Sequence, residues 1–279
     1  MKSSQFYNSE IRNCAFRYVV DVGLPYHQAP TYIPLQENVS KCIADLFEAM
    51  PHTPMNPIVQ ASYKQFIREI TDQYHFAIEN LGLCVEPYLS HGQPYESSRD
   101  LMDDIRLHKH MYYFKTEFGY GESSENSNLD NPMLTPTDVK TKGHQLLAND
   151  IFRVVHDLFG HAKEGYAFSP CGEENAWLEH LQMFTPLARP ALTTETRGQS
   201  NWFNFGSHLR HKNGTLIKKG EIGWVPPSKR PYSKQKTGLL PAEVSGVQLC
   251  ADSNSSQIQV HQIEDWDAAC ISLELELHL

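Results

Sequence analysis

With 279 residues, the chain is long enough to bury about three quarters of its unfolded surface, so a core alone can hold it folded. Hydrophobic residues make up 40% and charged residues 20%, the balance of a globular rather than a disordered protein. A net charge of −9 argues against a general nucleic-acid binder and against an anionic membrane surface. No apolar run approaches the roughly 20 residues that cross a bilayer. Met1 to Gln5 lacks the apolar core of a signal peptide. Six cysteines (14, 42, 84, 171, 250 and 270) are scattered without a Cys-x-x-Cys pair, which reads as reduced thiols in a cytoplasmic protein.

In chain order, residues 1–35 are broken by Pro25, Pro30 and Pro34, and Tyr18-Val19-Val20-Asp21-Val22 reads as a short strand. A first helix carries Val39, Ile43, Phe47 and Met50 on one stripe and ends before Pro51. The second is the best defined: Asn56 caps it, Pro57 takes its first turn and Gly82 closes it. Asp72 and His75 on it read as surface groups. A third helix begins at Ser97 or Ser98 and carries Leu101, Ile105 and Met111, with His108 and His110 on different faces. Residues 119–148, rich in Gly, Ser, Asn and Pro and holding Glu122 and Glu125, read as a flexible insertion or a lid. No phosphate-binding glycine motif occurs.

The chemistry concentrates between Asn149 and Gly206. A helix capped by Asn149 or Asp150 runs from Ile151 to Phe159 and brings His156-Asp157-Leu158-Phe159-Gly160-His161. Histidines five apart lie about 140° apart on a continuous α-helix, so they converge only if the helix stops between them. Gly160 is the expected stop, in the left-handed conformation that closes helices. Asp157 is placed to orient a ligand ring, and Arg153 either pairs with Asp157 or holds a substrate carboxylate. A loop with Pro170 and Gly172 leads to a helix from Glu173, whose face carries Trp177, His180 and Phe184 and could line the same cavity. The set reads as a metal site of His156, His161 and a carboxylate: Glu195 first, Glu174 or Glu173 as alternatives. Arg197, Gln199 and Trp202 read either as pocket groups or as a buried network supporting Glu195.

These residues resemble the catalytic core of the aromatic amino acid hydroxylases, whose pattern is His-Glu-Leu-Leu-Gly-His. Four of the six positions match, with Asp157 in place of Glu. The resemblance implies a helical catalytic fold and a ferrous ion bound by both histidines and a later glutamate, here Glu195 in Leu192-Thr193-Thr194-Glu195-Thr196. It covers about a fifth of the chain. The family's pterin-contacting segments and Thr-Pro-Glu-Pro run are not found, so a pterin or another reductant is implied by the resemblance alone. The chain as a whole resembles phage-encoded proteins, which implies no function.

Two imidazoles and one carboxylate leave positions for O2 and substrate on a non-haem Fe(II), and they also suit catalytic zinc. No His-x-Asp, His-x-Glu or Glu-x-x-His occurs, against jelly-roll oxygenases and di-iron bundles. Beyond Gly206 a basic, turn-rich stretch reads as a solvated face. The last forty residues are strand-prone, and Ile271, Leu273, Leu275, Leu277 and Leu279 alternate with polar residues in a strand that suits pairing with a second copy.

The expected fold is mainly α (α+β), with a helical metal-binding catalytic domain over 1–240 and a β-prone C-terminal extension over 241–279. The expected function is a mononuclear Fe(II) oxygenase acting on a small aromatic or amino-acid-like substrate with O2, with Asp157, His180 and Arg197 as candidate catalytic residues. A zinc-dependent hydrolase on the same ligands and a non-catalytic structural or binding protein are the other readings. Neither nucleic acid nor membrane is an expected partner.

Overall fold

The computed structural model describes residues 7–25, 32–90, 92–118, 130–252 and 257–264. Its helices, in chain order, are α1 (Ser9–Asp21), α2 (Glu37–Ala49), α3 (Pro57–Leu81), α4 (Ser98–His108), α5 (Ala148–His156), α6 (Pro170–Leu181), α7 (Arg189–Thr193), α8 (Gln199–Phe205) and α9 (Ala242–Ser245). Two π-helical segments, Asp157–Ala162 and Thr194–Gly198, continue α5 and α7. The strands are short: β1 (Cys84–Tyr88), β2 (His110–Phe114), β3 (Pro136–Thr141), β4 (His144–Leu147), β5 (Val247–Ala251) and β6 (Ile258–Gln262). They form one parallel pair, β1 with β2, and two antiparallel pairs, β3 with β4 and β5 with β6. The molecule is thus mainly helical with small sheets, and none of its described helices is long and apolar enough to cross a membrane.

The chain divides into two compact units, each assembled from three separate stretches. Unit 1 takes 1–33, 64–119 and 132–185; unit 2 takes 34–63, 120–131 and 186–279. The border expected at 240 falls inside unit 2.

Unit 1 is built on α5 and on α3 from residue 64 onward, the first turns of α3 being counted in unit 2. Asn56 accepts the amide N–H of Ile58 and Val59 at the start of α3, and Gly82 ends it with φ +62. Phe66 packs edge-on against Phe152 of α5 and also meets Phe184. The Asp150 carboxylate accepts the Leu147 amide at the head of α5, and its other oxygen takes the Thr116 amide and hydroxyl. Strands β1 and β2, joined through α4, bury Val85, Met111 and Tyr113. Ser97 caps α4 by accepting the Asp100 amide. Unit 2 packs Val39, Ile43 and Phe47 of α2 and its C-cap Met50 against Leu240 and Val244, with Trp202 of α8 alongside.

Three expectations change. Tyr18 to Val22 is not a strand: α1 runs to Asp21 with Val22 as its C-cap, because Asn8 caps its start and Ile11, Cys14, Ala15, Tyr18 and Val19 form one buried helical stripe. That stripe overrides the β propensity of Tyr-Val-Val. The insertion at 119–148 is not structureless over its described part. There β3 and β4 form a hairpin whose turn, Lys142-Gly143, has positive φ at both residues. Residues 119–129, with Glu122 and Glu125, lie outside the described residues, as does the strand expected at 271–279. Pro170 and Gly172 stand in the first turn of α6 rather than in a loop, with Ser169 as the cap.

Candidate metal centre

The spacing of His156 and His161 is resolved by a wider turn, not by a helix stop. Where α5 ends at His156 the backbone continues as a π-helix over Asp157–Ala162, and the Lys163 amide bonds the Leu158 carbonyl five residues back. A turn closed from i to i+5 places residues five apart above one another, and such single π turns recur at functional sites. Gly160 is not the left-handed cap expected of it. The left-handed glycine is Gly165, φ +72, beyond the π turn. Gly160 instead grants close approach, since a Cβ there would stand 3.1 Å from the Ala176 carbonyl oxygen and from the His156 ring.

The two rings meet nearly perpendicular, 86° apart with centroids at 5.2 Å. Glu173, in the first turn of α6, reaches between them: its Oε2 lies 3.4 Å from His161 Nε2 and 3.9 Å from His156 Nε2. These three residues form a donor group within 4.8 Å of one another. An ion bonded at about 2.1 Å to each of three donors holds them roughly 3.0 to 3.4 Å apart. The Glu173–His161 separation of 3.4 Å matches that and the Glu173–His156 separation of 3.9 Å is wider, so a small inward movement of the donors lets the residues fit one ion.

Each histidine's other nitrogen is engaged. His161 Nδ1 lies 3.0 Å from the Tyr166 carbonyl, to which it can only donate, so once the ring is neutral its lone pair lies on Nε2, the atom that faces Glu173. His156 Nδ1 lies 3.2 Å from His180 Nδ1. The rings are thus oriented by Tyr166 and His180, the part expected of Asp157. Asp157 sits partly buried on the π turn, where burial pushes its carboxyl up against the pull of His161 and His156.

Electrostatics follow the geometry. Burial lowers the His161 pKa, but the Glu173 carboxylate outweighs it by charge and hydrogen bond and holds it at about 9. Burial raises the Glu173 carboxyl, and the His161 and His156 rings overcome it and hold the acid far below its usual range. Without metal the centre is therefore an ion pair whose proton a metal would displace. His180 is kept neutral, its pKa driven well down first by burial and then by His156.

The side chains do not seal the centre evenly. His161 is 1% exposed and His156 11%, whereas Glu173 is 27% exposed. The Phe168 ring stands edge-on to His161 at 4.8 Å and is itself partly exposed.

The remaining candidates take other places. Glu195 lies in unit 2 on the second π turn, and its oxygens accept the Tyr63 hydroxyl at 2.6 Å and the Gln199 amide at 2.7 Å. Burial pushes its carboxyl up to about 7 against those two bonds. It is not a member of the donor group, and neither is Glu174; Glu173 is the carboxylate that joins the histidines. Gln199 therefore takes the supporting role, while Trp202 donates its indole N–H to Glu48. Arg197, buried in unit 2, donates to the Val244 carbonyl at 3.0 Å. Arg153 donates to the Phe114 carbonyl at 2.7 Å and packs over the Phe114 ring. His75 and Asp72 are exposed, as expected of surface groups.

Sequence reasoning missed Gln73, whose Oε1 lies 2.8 Å from His180 Nε2, and the Tyr166 carbonyl. A glutamine inside an apolar helical stripe and a backbone oxygen leave no signal of spacing. No family model, curated protein or solved structure matches the chain, so this centre is read from its own geometry.

Proposed function

We propose that the protein is a mononuclear non-haem iron oxygenase whose ferrous ion is held by His156, His161 and Glu173. The observation that carries the reading is the convergence of two Nε2 atoms and one carboxylate oxygen on a single point that stays open on the Glu173 side. Such a donor set, when loaded with Fe(II), leaves adjacent positions for O2 and substrate. A sealed four-ligand cage, as in metals that only fasten a fold, would have buried the carboxylate as fully as His161.

The chain's own residues have definable tasks. Glu173 supplies the one anionic donor and so sets the charge of the centre. The Tyr166 carbonyl and His180 fix the rings. Phe168, edge-on to His161, sets an apolar ring beside the centre, which suits a small aromatic or amino-acid-like substrate, the class implied by the resemblance of His156 to His161 to the aromatic amino acid hydroxylases. The protein surrounding the pair excludes water from the His161 side, where burial is nearly complete.

The test is an EPR spectrum of anaerobic protein loaded with Fe(II) and exposed to nitric oxide, beside the His161→Ala variant. A high-spin iron–nitrosyl signal in the parent, lost in the folded variant, is the expected result. A folded parent that takes up iron and gives no such signal would overturn the oxygenase. Tight zinc retention through purification, with hydrolysis of model esters, would put a zinc hydrolase in its place.

A further inference from the structure

We infer that Gln73 and His180 form a relay that dictates which nitrogen of His156 faces the metal. The inference rests on the metal-site reading above for its purpose, but not for its geometry. Four groups of unit 1 lie in line: the Met183 carbonyl, the Gln73 amide, the His180 ring and the His156 ring. Gln73 Nε2 donates to the Met183 carbonyl at 3.2 Å, and Gln73 Oε1 stands 2.8 Å from His180 Nε2. His180 Nδ1 then stands 3.2 Å from His156 Nδ1.

Each link has one direction once the first is set. The Met183 carbonyl only accepts, so the Gln73 amide must turn its NH2 toward it and its oxygen toward His180. A flipped amide would set two oxygens against each other. His180 must therefore carry its proton on Nε2 and donate it to Gln73. His180 and Gln73 are both fully buried. A ring at that depth, facing His156 and flanked by Phe159 and Phe184, is a neutral imidazole with one proton. Its Nδ1 is then a bare lone pair, and His156 can meet it only by donating from Nδ1. The proton of neutral His156 is thereby held on Nδ1, and its Nε2 presents a lone pair toward Glu173.

The order of the chain matters because His156 alone is indifferent: either tautomer fits an imidazole in isolation, and the wrong one points an N–H at the metal. Carboxylates and carbonyls commonly set ligand tautomers. Here a second histidine does so, and it can act only because Gln73 has fixed its own tautomer first. His161 needs no such relay, since the Tyr166 carbonyl sets it directly. Gln73 and His180 are positioning residues: neither touches the metal position.

The experiment is long-range 1H–15N NMR of the imidazoles in the metal-free protein, at a pH where His156 is neutral, with Zn(II) affinity measured by chelator competition on the same samples. The parent is expected to show the His156 proton on Nδ1. Gln73→Leu is expected to lose that single tautomer and to bind Zn(II) about 10- to 100-fold more weakly. His180→Phe checks the second link, and its His156 signal is expected to match that of Gln73→Leu. A parent with the His156 proton on Nε2 overturns the relay, as does a folded Gln73→Leu that keeps both tautomer and affinity. A parent with the expected tautomer that binds no Zn(II) upholds the relay and overturns the metal reading, so the two failures are distinguishable.

Discussion

Two glutamates compete for one role, and they differ in what holds them. Glu173 is paired with two imidazoles, whereas Glu195 is buried against a phenol and an amide in the other unit. Glu173→Gln is expected to weaken metal binding by at least the ~10- to 100-fold that outer-shell losses cost. Glu195→Gln is expected to leave it unchanged, and equilibrium metal competition on both variants checks this. Glu195 should show itself in pH dependence instead. Its folded pKa of about 7 lies above the 4.5 of a free carboxyl, so between those values the folded state keeps a proton the unfolded chain has lost. Stability therefore falls as pH rises through this window and is flat above it. Glu195→Gln removes that cost, for a gain of about 3 kcal/mol at pH 8 and close to none near pH 4.5, read by urea unfolding at both pH values. His156 and His161 were legible in the sequence because their chemistry is local. The third ligand was read as Glu195 first, with Glu174 or Glu173 as alternatives, and the fold brings Glu173, in the first turn of α6, to the two histidines.

Helices with a cap and a full stripe were legible as elements. Asn56, Pro57 and Gly82 delimit α3, and Ser97 starts α4, because each carries its own hydrogen-bonding signal. α1 was not, since Tyr18-Val19-Val20 favours a strand until Asn8 and the buried stripe are taken together. The π turn was the least legible, because one extra residue in a turn has no composition of its own. Gly160 is its sensitive point. A methyl there presses on the Ala176 carbonyl, which cannot move freely, and on the His156 ring, which can move only by leaving its place. Gly160→Ala is expected to cost about 1–3 kcal/mol, as overpacking does, and to weaken metal binding as well. Thermal unfolding without metal and chelator competition with it measure the two effects.

At the scale of the molecule, the helical class was legible from periodicity, but the division into units was not. Each unit joins three stretches distant in sequence, and only long-range packing shows which belong together. The break expected at 240 follows a change in composition from helix-prone to strand-prone chain, yet Leu240 and Val244 belong to one buried cluster with α2. A chain ending at residue 240 loses Val244, Val247 and Leu249 from that unit, all of them buried. It is expected to expose apolar surface and bind a hydrophobic dye such as ANS, whereas a separable extension could be removed without either effect.

The three residues of the candidate metal centre, by contrast, are close neighbours in the chain: His156 through Glu173 is a stretch of 18 residues. Closing so short a chelate ring costs little chain entropy, so the ligands can gather before the distant stretches of either unit have met. An ion held there would then be bound already at the folding barrier, and its effect would fall on the rate of folding rather than on the rate of unfolding. Stopped-flow refolding should quicken with added metal while the unfolding arm of the chevron barely moves. The centre would then serve the protein twice, as a site in the finished molecule and as a starting point for making it.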